Sequence, residues 1–113
     1  QDVRAYFLTL QYWLAGSEDN VAGMVGFLVD RYSDGPRRAL RDTLKPAAPL
    51  EYPDVGVYHP RMKGRIADRA DALPAAHAAT GTVGLLLMRS YLLAGNSAHY
   101  DGVIAAIEAR GLR

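Results

Sequence analysis

Residues 82–113, TVGLLLMRSYLLAGNSAHYDGVIAAIEARGLR, constrain this chain more than any other stretch, because the hydrophobic period changes once within them. Residues 83–88 are an almost unbroken apolar run, the pattern of a strand buried on both faces, as in parallel sheets. After Gly95, the residues Tyr100, Val103, Ile104 and Ile107 fall at i, i+3, i+4 and i+7, one apolar stripe along a helix. Asn96 or Ser97 is placed to cap its first turn, and Gly111 stands where a helix ends in a left-handed turn. Strand, loop, helix and a new start at Leu112 predict a βαβ unit that stops before its next strand, so the chain reads as a fragment. Its loop, residues 89–99, would lie at the carboxyl end of the strand, where open α/β sheets hold ligands.

The front of the chain has a different texture. Residues 3–14, VRAYFLTLQYWL, are apolar on nearly every side, which predicts a helix buried within a larger protein. Asp2 can cap it and Gly16 can end it. Tyr6, Phe7, Tyr12 and Trp13 are expected to pack as aromatic core rather than stack on a cofactor. Ser17 starts a second helix, whose stripe is Val21, Met24, Val25, Leu28, Val29 and Tyr32. Gly23 and Gly26 interrupt that stripe and point to close approach of another helix or backbone. Asp34-Gly35-Pro36 ends the helix, and Pro36 can open a short one. Pro46 and Pro49 then mark an extended connector. The boundary falls there: residues 1–50 form a helical segment and residues 51–113 the start of an α/β domain.

Few residues carry chemistry. His59 ends a short candidate strand, residues 55–59, VGVYH, and is a weak candidate base; a structural hydrogen-bonding role competes with it. Arg37, Arg38 and Arg41, like Arg61, Lys63 and Arg65, could grip a carboxylate or phosphate, against the simpler reading of solvated charge. Asn96, Ser97, His99 and Tyr100 bring polar groups to a helix N-terminus, a natural anion site, and simple capping competes with that too. No phosphate-binding GxxxxGK[ST] loop, HExxH or GxSxG occurs, and no residue set suggests a bound metal.

Composition excludes several classes. A formal net charge of +1 and no aromatic-and-basic interleaving argue against a nucleic-acid partner. The absence of cysteine removes disulfides, thiolate–zinc sites and thiol catalysis. No apolar run approaches the roughly 20 residues of a membrane-spanning helix. The expected setting is a reducing cytoplasm.

Four segments in order, LTLQYWLAGSEDNV, RYSDGPRRALRD, YPDVGVYHPRM and GLLLMRSYLLAGNSAHYDGVIAAIEARGLR, resemble the large (H) subunits of magnesium chelatases. The last is similar also to the large subunits of cobaltochelatases. The resemblance implies a very large protein that binds protoporphyrin IX and receives Mg2+ as the metal to be inserted, in (bacterio)chlorophyll biosynthesis. It implies two partners, an ATPase motor subunit that hydrolyses ATP and a subunit with an integrin-like domain; a plant or algal member would sit in the chloroplast stroma. No cofactor is expected on this segment itself. His59, Asn96, Ser97 and His99 are the expected substrate contacts, and the main catalytic groups are expected elsewhere in the large polypeptide.

The fold expectation is therefore α/β: a helical N-terminal part, then the start of a Rossmann-like parallel βαβ sheet with strands at residues 55–59 and 83–88. A right-handed crossover would join them. The alternatives are cobalt insertion in cobalamin biosynthesis, or a scaffold segment that docks neighbouring domains and never touches substrate.

Overall fold

A computed structural model describes residues 2–113 and divides the chain into two compact units, one ending at Glu51 and the other spanning Tyr52–Arg113.

The first unit is a helical hairpin. Helix α1, Asp2–Ala15, ends at Gly16, whose φ of +64° is the left-handed turn that only glycine adopts cheaply. Helix α2, Glu18–Tyr32, starts at Ser17, whose side chain accepts the Asn20 N–H at 3.0 Å; Glu18 and Asp19 add negative charge at the positive helix end. The two helices meet where the buried ring of Tyr12 lies against Gly23. A Cβ there would stand 2.8 Å from the ring, so the close approach expected at this glycine is that of a side chain. Gly26 is less crowded, with Pro46 3.7 Å from an ideal Cβ.

After α2, the 3-10 turn Gly35–Leu40 begins with Asp34 accepting the Gly35 N–H and with proline in its first turn. The connector that follows is held back onto the hairpin by polar groups. Asp30 accepts the Leu44 N–H at 2.7 Å, and the Tyr12 hydroxyl donates to the Ala47 carbonyl. The fully buried Asn20 amide donates to the Leu50 carbonyl and accepts from the Leu50 N–H, both at 2.8 Å.

One expectation fails here. Of the four aromatic residues assigned to the core, only Tyr12 is buried; Tyr6, Phe7 and Trp13 are 65%, 58% and 63% exposed. The main packing partner of helix α1 within this unit is α2, and one helix–helix contact covers one stripe, here Ala5 and Tyr12. Tyr6, Thr9, Leu10 and Trp13 line, with Met24, an open apolar depression.

The second unit is built of turns and two helices, and the α/β sheet expectation is overturned in it. No strand or sheet occurs among the described residues. Val57 pairs with Ala67 in one isolated antiparallel bridge, and Gly81 pairs with Leu112 in one isolated parallel bridge. Thr80 and Arg113 add flanking hydrogen bonds to Gly111 and Gly81, and the Val83 N–H donates to Arg113. The pairing goes no further, so residues 84–88 belong to no ladder. The apolar run is not buried on both faces either, since Leu86 is fully exposed and Met88 61% exposed. A strand needs neighbours to pair with along its length, and periodicity reports only what its side chains would suit.

Helix α3, Arg89–Leu93, occupies part of the expected loop and buries Leu92 and Leu93. It ends in a paired motif: Gly95 at φ +71° donates to Leu92, and the Asn96 N–H donates to Tyr91. Helix α4, Ala98–Glu108, follows and ends before Gly111, whose φ is +75°. The span between the two bridges holds only the 3-10 turn Ala70–Ala72. No helix among the described residues is long and apolar enough to cross a membrane.

Two substitutions check this account. Asn20→Ala strands the Leu50 backbone groups and should cost about 2 kcal/mol in denaturant unfolding. At Gly56 an added Cβ would lie 2.3 Å from the Ala67 carbonyl oxygen, so Gly56→Ala should lower the melting temperature, and an unchanged value would refute the close approach.

Candidate functional site

All four candidate contacts lie in the second unit, but they do not converge. His59 reaches the C-terminal end of α4 and His99 stands in its first turn, roughly 13 Å apart along the axis at 1.5 Å per residue. Ser97, the N-cap of α4, and Asp101 and Glu108 within it fall at i, i+4 and i+11 on one face, and all three meet the segment containing Tyr58 and His59.

At one end the Tyr58 hydroxyl donates to Asp101 Oδ1 at 2.6 Å and lies 3.1 Å from Ser97 Oγ, while Ser97 donates to Asp101 Oδ2 at 3.2 Å. Two hydroxyl protons serve three oxygen–oxygen contacts, so the charge-assisted bond to Asp101 takes the phenolic proton. Burial, followed by the bond to Asp101, pushes the Tyr58 phenol above its ordinary value of 10.0. Ser97 is the N-cap residue of α4, yet its side chain caps no backbone N–H because it is committed to Asp101.

At the other end His59 Nε2 lies 2.9 Å from Glu108 Oε1, and its Nδ1 accepts the Arg61 backbone N–H at 3.1 Å. That acceptor role puts the ring proton on Nε2, donated to Glu108, so both imidazole nitrogens are engaged. A turn creates this arrangement. Pro60 follows His59, and the Met62 N–H closes back onto the His59 carbonyl at 2.9 Å. Arg61 adds a guanidinium contact of 3.0 Å to the same Glu108 oxygen. Glu108 is held below its ordinary value of 4.5, first by the hydrogen bond from His59 and further by the Arg61 charge.

His99 differs in every respect. It is exposed, and no hydrogen bond to its ring nitrogens occurs among the described residues. Its ring sits edge-on to Tyr91, centroids 5.3 Å apart at 76°, and 4.0 Å from the ring of Tyr100. Tyr100 is itself fixed, its hydroxyl oxygen accepting the Met88 N–H at 3.2 Å. Asn96 is exposed, its backbone spent in the turn that ends α3. Arg89 donates to the carbonyls of Tyr52 and Pro53 at 2.9 and 2.8 Å and ties the start of this unit to α3.

Tyr58, Asp101, Glu108 and Tyr91 do not stand out as site residues in the sequence. The spacing of Asp101 and Glu108 on one helix face is legible there, but their partners are 43 and 49 positions away. No group of three or more His, Cys, Asp or Glu side chains suited to a metal ion occurs among the described residues. The geometry spends both ring nitrogens of His59 on fastening and leaves those of His99 without a hydrogen-bonding partner among the described residues.

Comparison with known proteins places the chain. The family described as CobN/Magnesium Chelatase matches residues 10–113, and the chain belongs to it. It is 51% identical over 112 residues to the magnesium-chelatase H subunit of Rhodobacter capsulatus and, equally, to that of Cereibacter sphaeroides. It is 31% identical over 126 residues to the chloroplastic magnesium-chelatase ChlH subunit of Oryza sativa subsp. indica. These alignments cover 99% to 100% of this chain, which spans only 9% of the length of the relatives. No solved structure matches.

Two titrations test the fastenings. Glu108 has a lowered value in the folded chain, so its contribution is present above pH 4.5 and lost as pH falls through the depressed value. Stability measured against pH should therefore drop on the acid side, and Glu108→Gln should flatten that drop. Tyr58 has a raised value, so its contribution holds below pH 10.0 and is lost as pH rises through the folded value. Tyrosinate absorbance should show one phenol that titrates late and is missing in Tyr58→Phe.

Proposed function

We propose that this segment is part of a chelatase subunit that binds protoporphyrin IX and inserts Mg2+ into it, a step of (bacterio)chlorophyll biosynthesis. The observation that carries the reading is 51% identity to two magnesium-chelatase H subunits over nearly the whole chain. The names of these relatives support magnesium over cobalt. ATP is hydrolysed on a motor subunit, and a subunit with an integrin-like domain completes the assembly. Both belong to the proposal, as does a cytoplasmic or stromal setting. The metal here is substrate, and it needs no resident cage in this segment.

Insertion requires two pyrrole N–H protons to leave while a strongly hydrated hard cation sheds water. A group that helps must offer a lone pair toward the ring. His59 is the weak candidate for such a base, but in this geometry Glu108 and the Arg61 N–H occupy its nitrogens. His99, with Asn96 and Ser97 nearby in sequence, is the candidate contact to the porphyrin macrocycle that this arrangement leaves, and the main catalytic groups lie in other parts of the large polypeptide. A scaffold role is the second reading, favoured by the exposed apolar face of α1, with Tyr6, Phe7, Trp13 and Leu14 all more than half exposed.

Free-base deuteroporphyrin titrated into the full-length protein should bind saturably with micromolar affinity. Mg2+ insertion should then require ATP and the partner subunits. Failure of the porphyrin to bind the folded full-length protein would overturn the chelatase reading and favour the scaffold.

A further inference from the structure

The three histidines of this chain are not equivalent. His59 has both nitrogens engaged. His77 is exposed, in a stretch with no helix around it. His99 alone combines a ring packed against two aromatic neighbours with ring nitrogens that meet no hydrogen-bonding group among the described residues. Its backbone is fixed in the first turn of α4, the Tyr91 edge limits ring rotation, and the Met88 N–H pins the Tyr100 wall. An imidazole so held, exposed and with no hydrogen-bonding partner for its ring nitrogens among the described residues, suits donation to an electron-poor centre.

We infer that His99 is the axial nitrogen donor to the metal of the metallated macrocycle, with Tyr91 and Tyr100 as the walls that orient its ring. The inference rests on the chelatase reading and goes beyond it by naming the product, rather than the free-base substrate, as what His99 recognises. A free-base ring presents N–H groups at its centre and has no vacant coordination site. Once a divalent ion occupies the four ring nitrogens, its axial positions are open to a fifth ligand. Neutral imidazole then donates the lone pair of one ring nitrogen and keeps its proton on the other, so the bond forms without release of a proton. His99 would thereby bias binding toward the metallated ring and draw the metal to one face of it.

The test uses the full-length protein and two probes, zinc protoporphyrin, which accepts one axial nitrogen, and free-base deuteroporphyrin, which accepts none. Zinc protoporphyrin should bind the wild-type protein with the red-shifted Soret band of imidazole ligation. His99→Ala should abolish that shift and weaken zinc porphyrin binding about tenfold, with free-base affinity changed less than about twofold. Added imidazole should restore the shift in His99→Ala, and His77→Ala, at an exposed histidine outside the site, should keep it. A shift that persists in His99→Ala, or equal losses for both probes, would overturn the axial role and leave the chelatase reading standing. Failure of zinc protoporphyrin alone to bind the wild-type protein would overturn the axial role, and failure of both porphyrins to bind would overturn the chelatase reading with it.

Discussion

Ala5, Tyr12, Leu92 and Leu93 are the apolar side chains that are buried among the described residues, and so small a core leaves polar fastenings to hold the long connections in place. In the first unit the connector after α2 is returned to the hairpin by Asn20, Asp30 and the Tyr12 hydroxyl, each bonded to backbone 14 to 35 positions away. In the second, Arg89 holds the carbonyls of Tyr52 and Pro53, while Tyr58 and His59 hold α4. A single hydrogen bond contributes only about 1 kcal/mol net, whereas a buried partner left unsatisfied costs about 1–3 kcal/mol. Such fastenings therefore act less as a source of stability than as a penalty on every other arrangement. No buried side-chain polar atom lacks a partner among the described residues, which is what that logic demands.

What the sequence disclosed follows the range of the interactions involved. Helices α1, α2 and α4 were legible because their signals are local: Gly16 and Gly111 at positive φ, Ser17 accepting from Asn20, and an apolar stripe of period 3.6. The glycine at position 23 announced a close approach, though not that a tyrosine ring would fill it. Burial in α1 was not legible, because apolar content on every side says what a helix would tolerate, and only its neighbours decide what is covered. The strand at residues 83–88 failed for the same reason. Its residues suit a buried parallel strand, but pairing is a property of two segments, and the parallel pairing here is one bridge between Gly81 and Leu112. The family resemblance held because it drew on the order of several motifs and not on any one tertiary contact.

The candidate site was legible in its residue types and illegible in its division of labour. His59 and His99 look alike as histidines beside predicted strand ends, and what separates them is the accounting of four ring nitrogens. Glu108 and the Arg61 N–H occupy both on His59, through a turn that Pro60 made foreseeable and a carboxylate 49 positions away that nothing local foretold.

That division follows from the small core. Because α4 buries no side chain fully, its attachment to the segment around Tyr58 relies on polar groups along one face, and Asp101 and Glu108 are committed there. The same commitment draws Ser97 away from capping the helix. What remains at the N-terminal end is His99, which α4 carries outside that face and which packs on the rings of Tyr91 and Tyr100. Fastening by polar groups thus sorts the chemistry of the helix: residues that face the Tyr58–His59 segment lose their lone pairs and protons to structure, and the imidazole outside it keeps its own.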